Sequence, residues 1–190
     1  MPLYAFISGG VIFFAAHLFS TFRKRGEGDI KIRNYRPYMG LFTLVSLVGL
    51  ALFAWGWANL RPWPQLWTPP EWGRHIALSL MPFAAILISA AYLPTGYIKK
   101  FVGHPMLLAV MVWALAHLAA NGDLGALLLF GVFFLYALVD RLVVAARGDR
   151  GPVGQKPTIL GDMLAISVGG GAYLVIIFWL HKAVIGVSPV

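Results

Sequence analysis

Five side chains in this sequence could carry chemistry on their own: His17, His75, His104, His117 and His181. Imidazole is the commonest metal ligand and the side chain whose charge changes nearest neutral pH. Burying an ionisable ring in an apolar run is costly, so a ring found there needs a partner or a function. His17 lies in Phe13-Phe14-Ala15-Ala16-His17-Leu18-Phe19, with Gly9 and Gly10 one turn before the phenylalanines. Small residues and flat aromatics around it suit a macrocycle, or equally a hydrogen bond to a neighbouring helix. His117 follows Trp113 by one turn in Trp113-Ala114-Leu115-Ala116-His117-Leu118, where alanines admit a helix or a cofactor. Thirteen residues separate His104 from His117, which places them about 140° apart round a helix and on different faces. His104, before Pro105, reads as a helix cap or headgroup contact. His75 beside Arg74 and His181 beside Lys182 read as interfacial.

The rest of the sequence narrows the chemistry. It has no cysteine, which excludes disulfides, iron–sulfur clusters and thiolate ligands or nucleophiles. Glu27, Asp29, Asp149 and Glu71 fall in connections, while Asp123, Asp140 and Asp162 fall at helix ends. Capping, or pairing with Arg, accounts for the latter three. HExxH, GxSxG and phosphate-loop patterns are absent, so hydrolase and nucleotide readings have no support. Zinc would want three or four convergent ligands. Haem b takes axial imidazoles from separate helices and needs little else but an apolar slot, so it suits two intramembrane histidines best.

Those rings must be positioned by apolar helices. Hydrophobic residues make up 59% of the 190 and charged residues 12%, too little polar cover for a soluble fold of this size. Six stretches approach the roughly 20 apolar residues a membrane span needs: Leu3–Phe22, Tyr38–Leu60, Arg74–Leu93, His104–Ala120, Asp123–Ala145 and Asp162–Lys182. The expected fold class is therefore an all-α membrane protein, a bundle of six transmembrane helices forming one domain over residues 1–190. Arg61-Pro62-Trp63-Pro64 and Thr68-Pro69-Pro70 break the chain between spans, and Asn121-Gly122-Asp123 forms a turn with Asp123 as cap. The Gly148–Gly161 stretch is a polar loop. Gly169-Gly170-Gly171 weakens the last span but allows close backbone approach.

Twelve of the 15 Lys and Arg fall in connections 1, 3 and 5, against Arg61, Arg74 and Lys182 on the other side. The positive-inside rule puts those connections in the cytoplasm and both termini outside. The net charge of +8 therefore reports topology, not nucleic-acid binding. The strip from Arg23 to Arg36 could meet anionic lipid or a protein partner at the cytoplasmic face. Trp55, Trp57, Trp63, Trp67 and Trp72 cluster around connection 2, as an outer interfacial belt would. No basic segment precedes the first apolar run, which reads as a retained helix.

The run His104-Pro105-Met106-Leu107-Leu108, then Trp113-Ala114-Leu115-Ala116-His117-Leu118 and Asn121-Gly122-Asp123, resembles the NnrU family of bacterial membrane proteins. The likeness extends through His17, Leu41-Phe42-Thr43-Leu44-Val45-Ser46-Leu47, Leu66-Trp67-Thr68-Pro69-Pro70, Ala91-Tyr92-Leu93-Pro94 and Asp140-Arg141. It implies an inner-membrane protein associated with nitrite and nitric oxide reduction, with that machinery as a partner. The sequence is also similar to the plant 15-cis-zeta-carotene isomerases, which are membrane haem b enzymes. That similarity implies haem b held by His17 and His117, and offers isomerisation of a polyene lipid as an alternative activity. A transporter or assembly factor without cofactor is the third reading. By depth the ligand pair is uneven. His17 lies roughly 8 Å, and His117 roughly 20 Å, from the cytoplasmic ends of their helices. His75, His117 and His181 match one another better.

Overall fold

The computed structural model describes residues 1–151 and 156–190. Residues 152–155 of the Gly148–Gly161 loop lie outside the described residues. The chain is helical, and its contacts form two compact units, Met1–Pro64 and Gln65–Val190.

In the first unit, α1 (Pro2–Phe22) and α3 (Tyr35–Asn59) pack along their length. The contact is made by glycines. A Cβ on Gly49 would lie 2.7 Å from the Phe13 amide nitrogen, and one on Gly56 would lie 2.7 Å from Phe6 Cα. From the other side, Gly9 meets the backbone at Phe53 and would place a Cβ 2.7 Å from the Gly49 carbonyl. Gly49 and Gly56 are two turns apart and share a face, so backbone lies against backbone, as in close-packed membrane helix pairs. Phe6 stacks on Phe53 with ring centroids 4.6 Å apart and also meets Trp63 at 5.6 Å. α3 begins three residues before the expected Tyr38, because Pro37 sits in the first turn, where a missing N–H costs little.

The connection contains a short helix, α2 (Ile30–Arg33), which the apolar pattern did not announce. Asp29 caps it by accepting from the Lys31 amide at 2.9 Å. The same carboxylate accepts from Arg23 Nε at 2.9 Å, with the two side chains only 4% and 3% exposed. Arg23 Nη1 also donates to the Ser20 carbonyl at 2.7 Å, which ties the turn to the last turn of α1. The Arg23 hydrogen bond holds the Asp29 carboxyl below its ordinary 3.8; burial opposes it, while the Lys31 amide and the Arg23 and Arg25 charges add to it. With its folded value depressed, Asp29 contributes stability above pH 3.8 that is lost as pH falls through the lower folded value. Unfolding of wild type and Asp29→Asn compared across pH should show a difference at neutral pH that closes in acid.

The second unit contains α4 (Trp72–Tyr92), α5 (Tyr97–Val102), α6 (Pro105–Ala120), α7 (Leu124–Ala146) and α8 (Ile159–Val175). A π-helical turn, Ile176–Leu180, leads into α9 (His181–Ile185), so α8, the π turn and α9 form one span, Ile159–Ile185. Together with α1 and α3, five helices among the described residues are long and apolar enough to cross a membrane, and α6 is a shorter apolar sixth. At 16 residues, α6 reaches about 24 Å, short of a hydrocarbon layer of about 30 Å. Its limits are set by Pro105 at its start and by the turn at Asn121. Gly103, at φ 74°, separates it from α5.

α4 packs against α6 on one side and α8 on the other. Gly169 makes the second contact close: a Cβ there would lie 2.6 Å from Ile86 Cα. Gly170 and Gly171 meet nothing within 4 Å, so close approach belongs to one glycine of the three. Pro82, inside α4, cannot donate to the Leu78 carbonyl one turn earlier. The Tyr173 hydroxyl of α8 donates to that carbonyl at 3.0 Å. Tyr173→Phe should therefore lower stability in detergent by about 1 kcal/mol, with far-UV circular dichroism unchanged at rest.

Asp162 does not cap its own helix. It accepts from the Tyr97 and Ile98 amides of α5, each at 2.9 Å, and Thr158 caps α8 at the Gly161 amide, 3.1 Å. Lys99 Nζ returns to the end of α4, donating to the Ala91 and Leu93 carbonyls at 3.0 and 3.1 Å. Asp123 caps α7 as expected, accepting from the Ala126 amide at 2.8 Å.

Candidate functional site

His17 lies in the last third of α1, and its Nδ1 is 2.8 Å from the Phe13 carbonyl one turn back. A carbonyl only accepts, so Nδ1 carries the proton and Nε2 is the basic nitrogen of the neutral ring. The ring stacks on Phe13 at 4.1 Å between centroids and meets Phe42 of α3 at 5.0 Å. Thr21 Oγ1 donates to the His17 carbonyl at 3.0 Å. On α3, Tyr38, Phe42 and Ser46 recur every four residues and so share the face that meets His17. The Tyr38 hydroxyl and Ser46 Oγ are shut from solvent and have no hydrogen-bond partner among the described residues. Buried hydroxyls without partners are uncommon and point to a polar group still to be supplied. The sequence signal for this face is the four-residue recurrence of Tyr38, Phe42 and Ser46, which residue type alone does not single out.

His117 repeats the arrangement in the second unit. Its Nδ1 lies 2.8 Å from the Trp113 carbonyl, so this ring also donates there and keeps Nε2 basic. The ring stacks on Phe130 of α7, with centroids 4.5 Å apart and planes 23° apart. Trp113 closes the cluster, edge-on to Phe130 at 4.8 Å and to Phe133 at 5.4 Å. Ala114, 0% exposed and clustered with Ala126 and Phe130, is the small residue that brings α6 close enough for this stacking. Asn121 Nδ2 donates to the His117 carbonyl at 2.8 Å and so closes the end of α6.

The other three histidines differ. His104 occupies the N-cap position of α6, yet its ring makes no cap. Its Nε2 donates instead to the Asp149 carbonyl at 3.1 Å and lies 3.4 Å from the Asp149 carboxylate. His75 is exposed on α4, beside an open cavity of about 460 Å³ that Trp72, Ile76, Ser79 and Leu80 also line. These residues form one helix face. His181 follows the π turn directly, and its Nδ1 lies 2.7 Å from the Val187 carbonyl. Among the described residues no three His, Asp or Glu side chains converge on a metal position.

Six apolar helices among the described residues, two of them carrying an imidazole anchored to its own backbone, define a multi-pass helical membrane protein. The chain belongs to the NnrU family, whose model, described as NnrU protein, matches residues 5–189. The match runs through both compact units. No curated protein and no solved structure matches the chain.

Proposed function

We propose that this chain binds haem b, with His17 and His117 as the histidines available to ligate it, and supports nitrite and nitric oxide reduction in a bacterial inner membrane. One observation carries the reading: both rings donate from Nδ1 to the carbonyl one turn back, at 2.8 Å in each case. A backbone hydrogen bond of this kind fixes the tautomer and ring orientation and raises the basicity of Nε2 toward a metal. The surroundings fit the group. Both rings lie against flat aromatics, and on the α1 side two buried hydroxyls stand ready for polar substituents. Bound haem would supply one-electron redox chemistry.

Pyridine haemochrome assay of protein purified from membranes tests the reading. Wild type should retain haem, and so should His75→Ala and His104→Ala, while His17→Ala and His117→Ala lose it. Wild-type protein free of haem after expression with adequate haem supply would refute the proposal. Loss on His181→Ala with none on His17→Ala would move the ligand pair wholly into the second unit, as the depth argument favours.

In this reading the twelve-cation side faces the cytoplasm and both termini are periplasmic. The cysteine-free sequence makes that simple to check with single cysteines and an impermeant maleimide. Glu27→Cys and Thr68→Cys, both at exposed positions, should react in inside-out vesicles only and in right-side-out vesicles only, respectively. The reverse pattern would invert the topology.

A further inference from the structure

The turn between α1 and α3 combines two properties that water does not favour together. Residues 23–36 hold six Lys and Arg against Glu27 and Asp29. Asp29 is consumed internally by Arg23 in the nearly inaccessible ion pair. Five cations are left against one acid, and Lys24, Arg25, Arg33 and Arg36 are exposed. Phe22, Ile30, Ile32 and Tyr35 are exposed in the same stretch. Cations interleaved with exposed aliphatic and aromatic side chains suit the boundary between headgroups and acyl chains. The turn is also built in advance. The Asp29 cap on α2 and the Arg23 bonds to Ser20 fix its backbone, so little ordering is left for a ligand to impose.

We propose that this turn is a docking site for anionic phospholipid. The exposed Lys24, Arg25, Arg33 and Arg36 meet headgroup phosphates, and Ile30 and Ile32 meet the upper acyl chains. A zwitterionic lipid offers the same phosphate, but its choline cancels the charge, so the excess of cations selects lipids with net negative charge. Each cation near such a surface adds roughly fivefold to partitioning.

The test reconstitutes the full chain in nanodiscs of mixed phosphatidylcholine and phosphatidylglycerol, then counts the lipids it retains by native mass spectrometry. Wild type should retain phosphatidylglycerol in excess of its share in the disc, and the excess should fall as salt rises. K24Q/R33Q/R36Q should cut the excess by at least about tenfold. R141Q/R150Q/K156Q removes as many charges elsewhere and should leave it standing. Inorganic phosphate exchanged for chloride at constant ionic strength should not displace the lipid. No enrichment in wild type, or enrichment indifferent to salt, would overturn the proposal without any variant. So would an equal fall in both triple variants, which would indicate net charge alone, or displacement by phosphate, which would indicate a site for free anions.

Discussion

Gly56→Ala should destabilise the protein, although the same change at Gly40 in the same helix should stabilise it. In a helix exposed to solvent or lipid, replacing Gly by Ala gains about 1 kcal/mol from backbone entropy. Gly40 meets nothing within 4 Å and should show that gain. At Gly56 the new methyl would run into the Phe6 backbone and lie 2.7 Å from the Pro2 carbonyl. Backbone cannot rotate aside as a side chain can, so α1 and α3 must separate. Overpacking of this kind costs roughly 1–3 kcal/mol, and separation also loosens the Phe6–Phe53 stack. The net effect should be a loss of about 1–2 kcal/mol for Ala, and a larger loss for Leu. Thermal or denaturant unfolding in detergent reads both signs at once. Equal stabilisation at the two positions would mean that α1 and α3 are not in backbone contact.

If haem is held as proposed, His117→Gly should lack the haem absorption, and millimolar imidazole should bring much of it back. The substitution removes the ring but leaves the Trp113 carbonyl, the Phe130 face and the alanine-lined approach in place. A free imidazole entering that space can restore the ligand without restoring the covalent link. Loss of an anchored ligand should lower haem occupancy at least about tenfold, since disturbing the groups around a ligand alone costs 10- to 100-fold. The same experiment at His17→Gly tests the first unit. Imidazole that restores the band at neither position would indicate that the histidines act through packing and not through the metal.

The spans were legible because lipid imposes a simple condition, a long apolar stretch, and Pro2–Phe22 or Leu124–Ala146 meets it without tertiary information. The turn chemistry was legible where it is local, as at Asp123, whose donor, the Ala126 amide, is three residues away. It failed where the partner is distant. Asp162 lies in the first turn of a helix, yet its partners are amides of α5, sixty-five and sixty-four residues earlier. Short helices such as Ile30–Arg33 and Tyr97–Val102 escape notice because four or six residues cannot show a period. The glycine contact was partly visible: Gly49 and Gly56 are spaced two turns apart, but only the packed pair shows that both face α1. The histidines were identified by residue type alone. Their common anchor depends on a side-chain rotamer, which spacing does not encode, although a carbonyl one turn back was always available to accept.

The absorption spectrum of the detergent-purified protein tests the central claim most directly. The account predicts a Soret band in wild type that weakens strongly in both His17→Ala and His117→Ala and persists in His75→Ala. A wild-type spectrum without a Soret band, or a band unchanged by both substitutions, would contradict it.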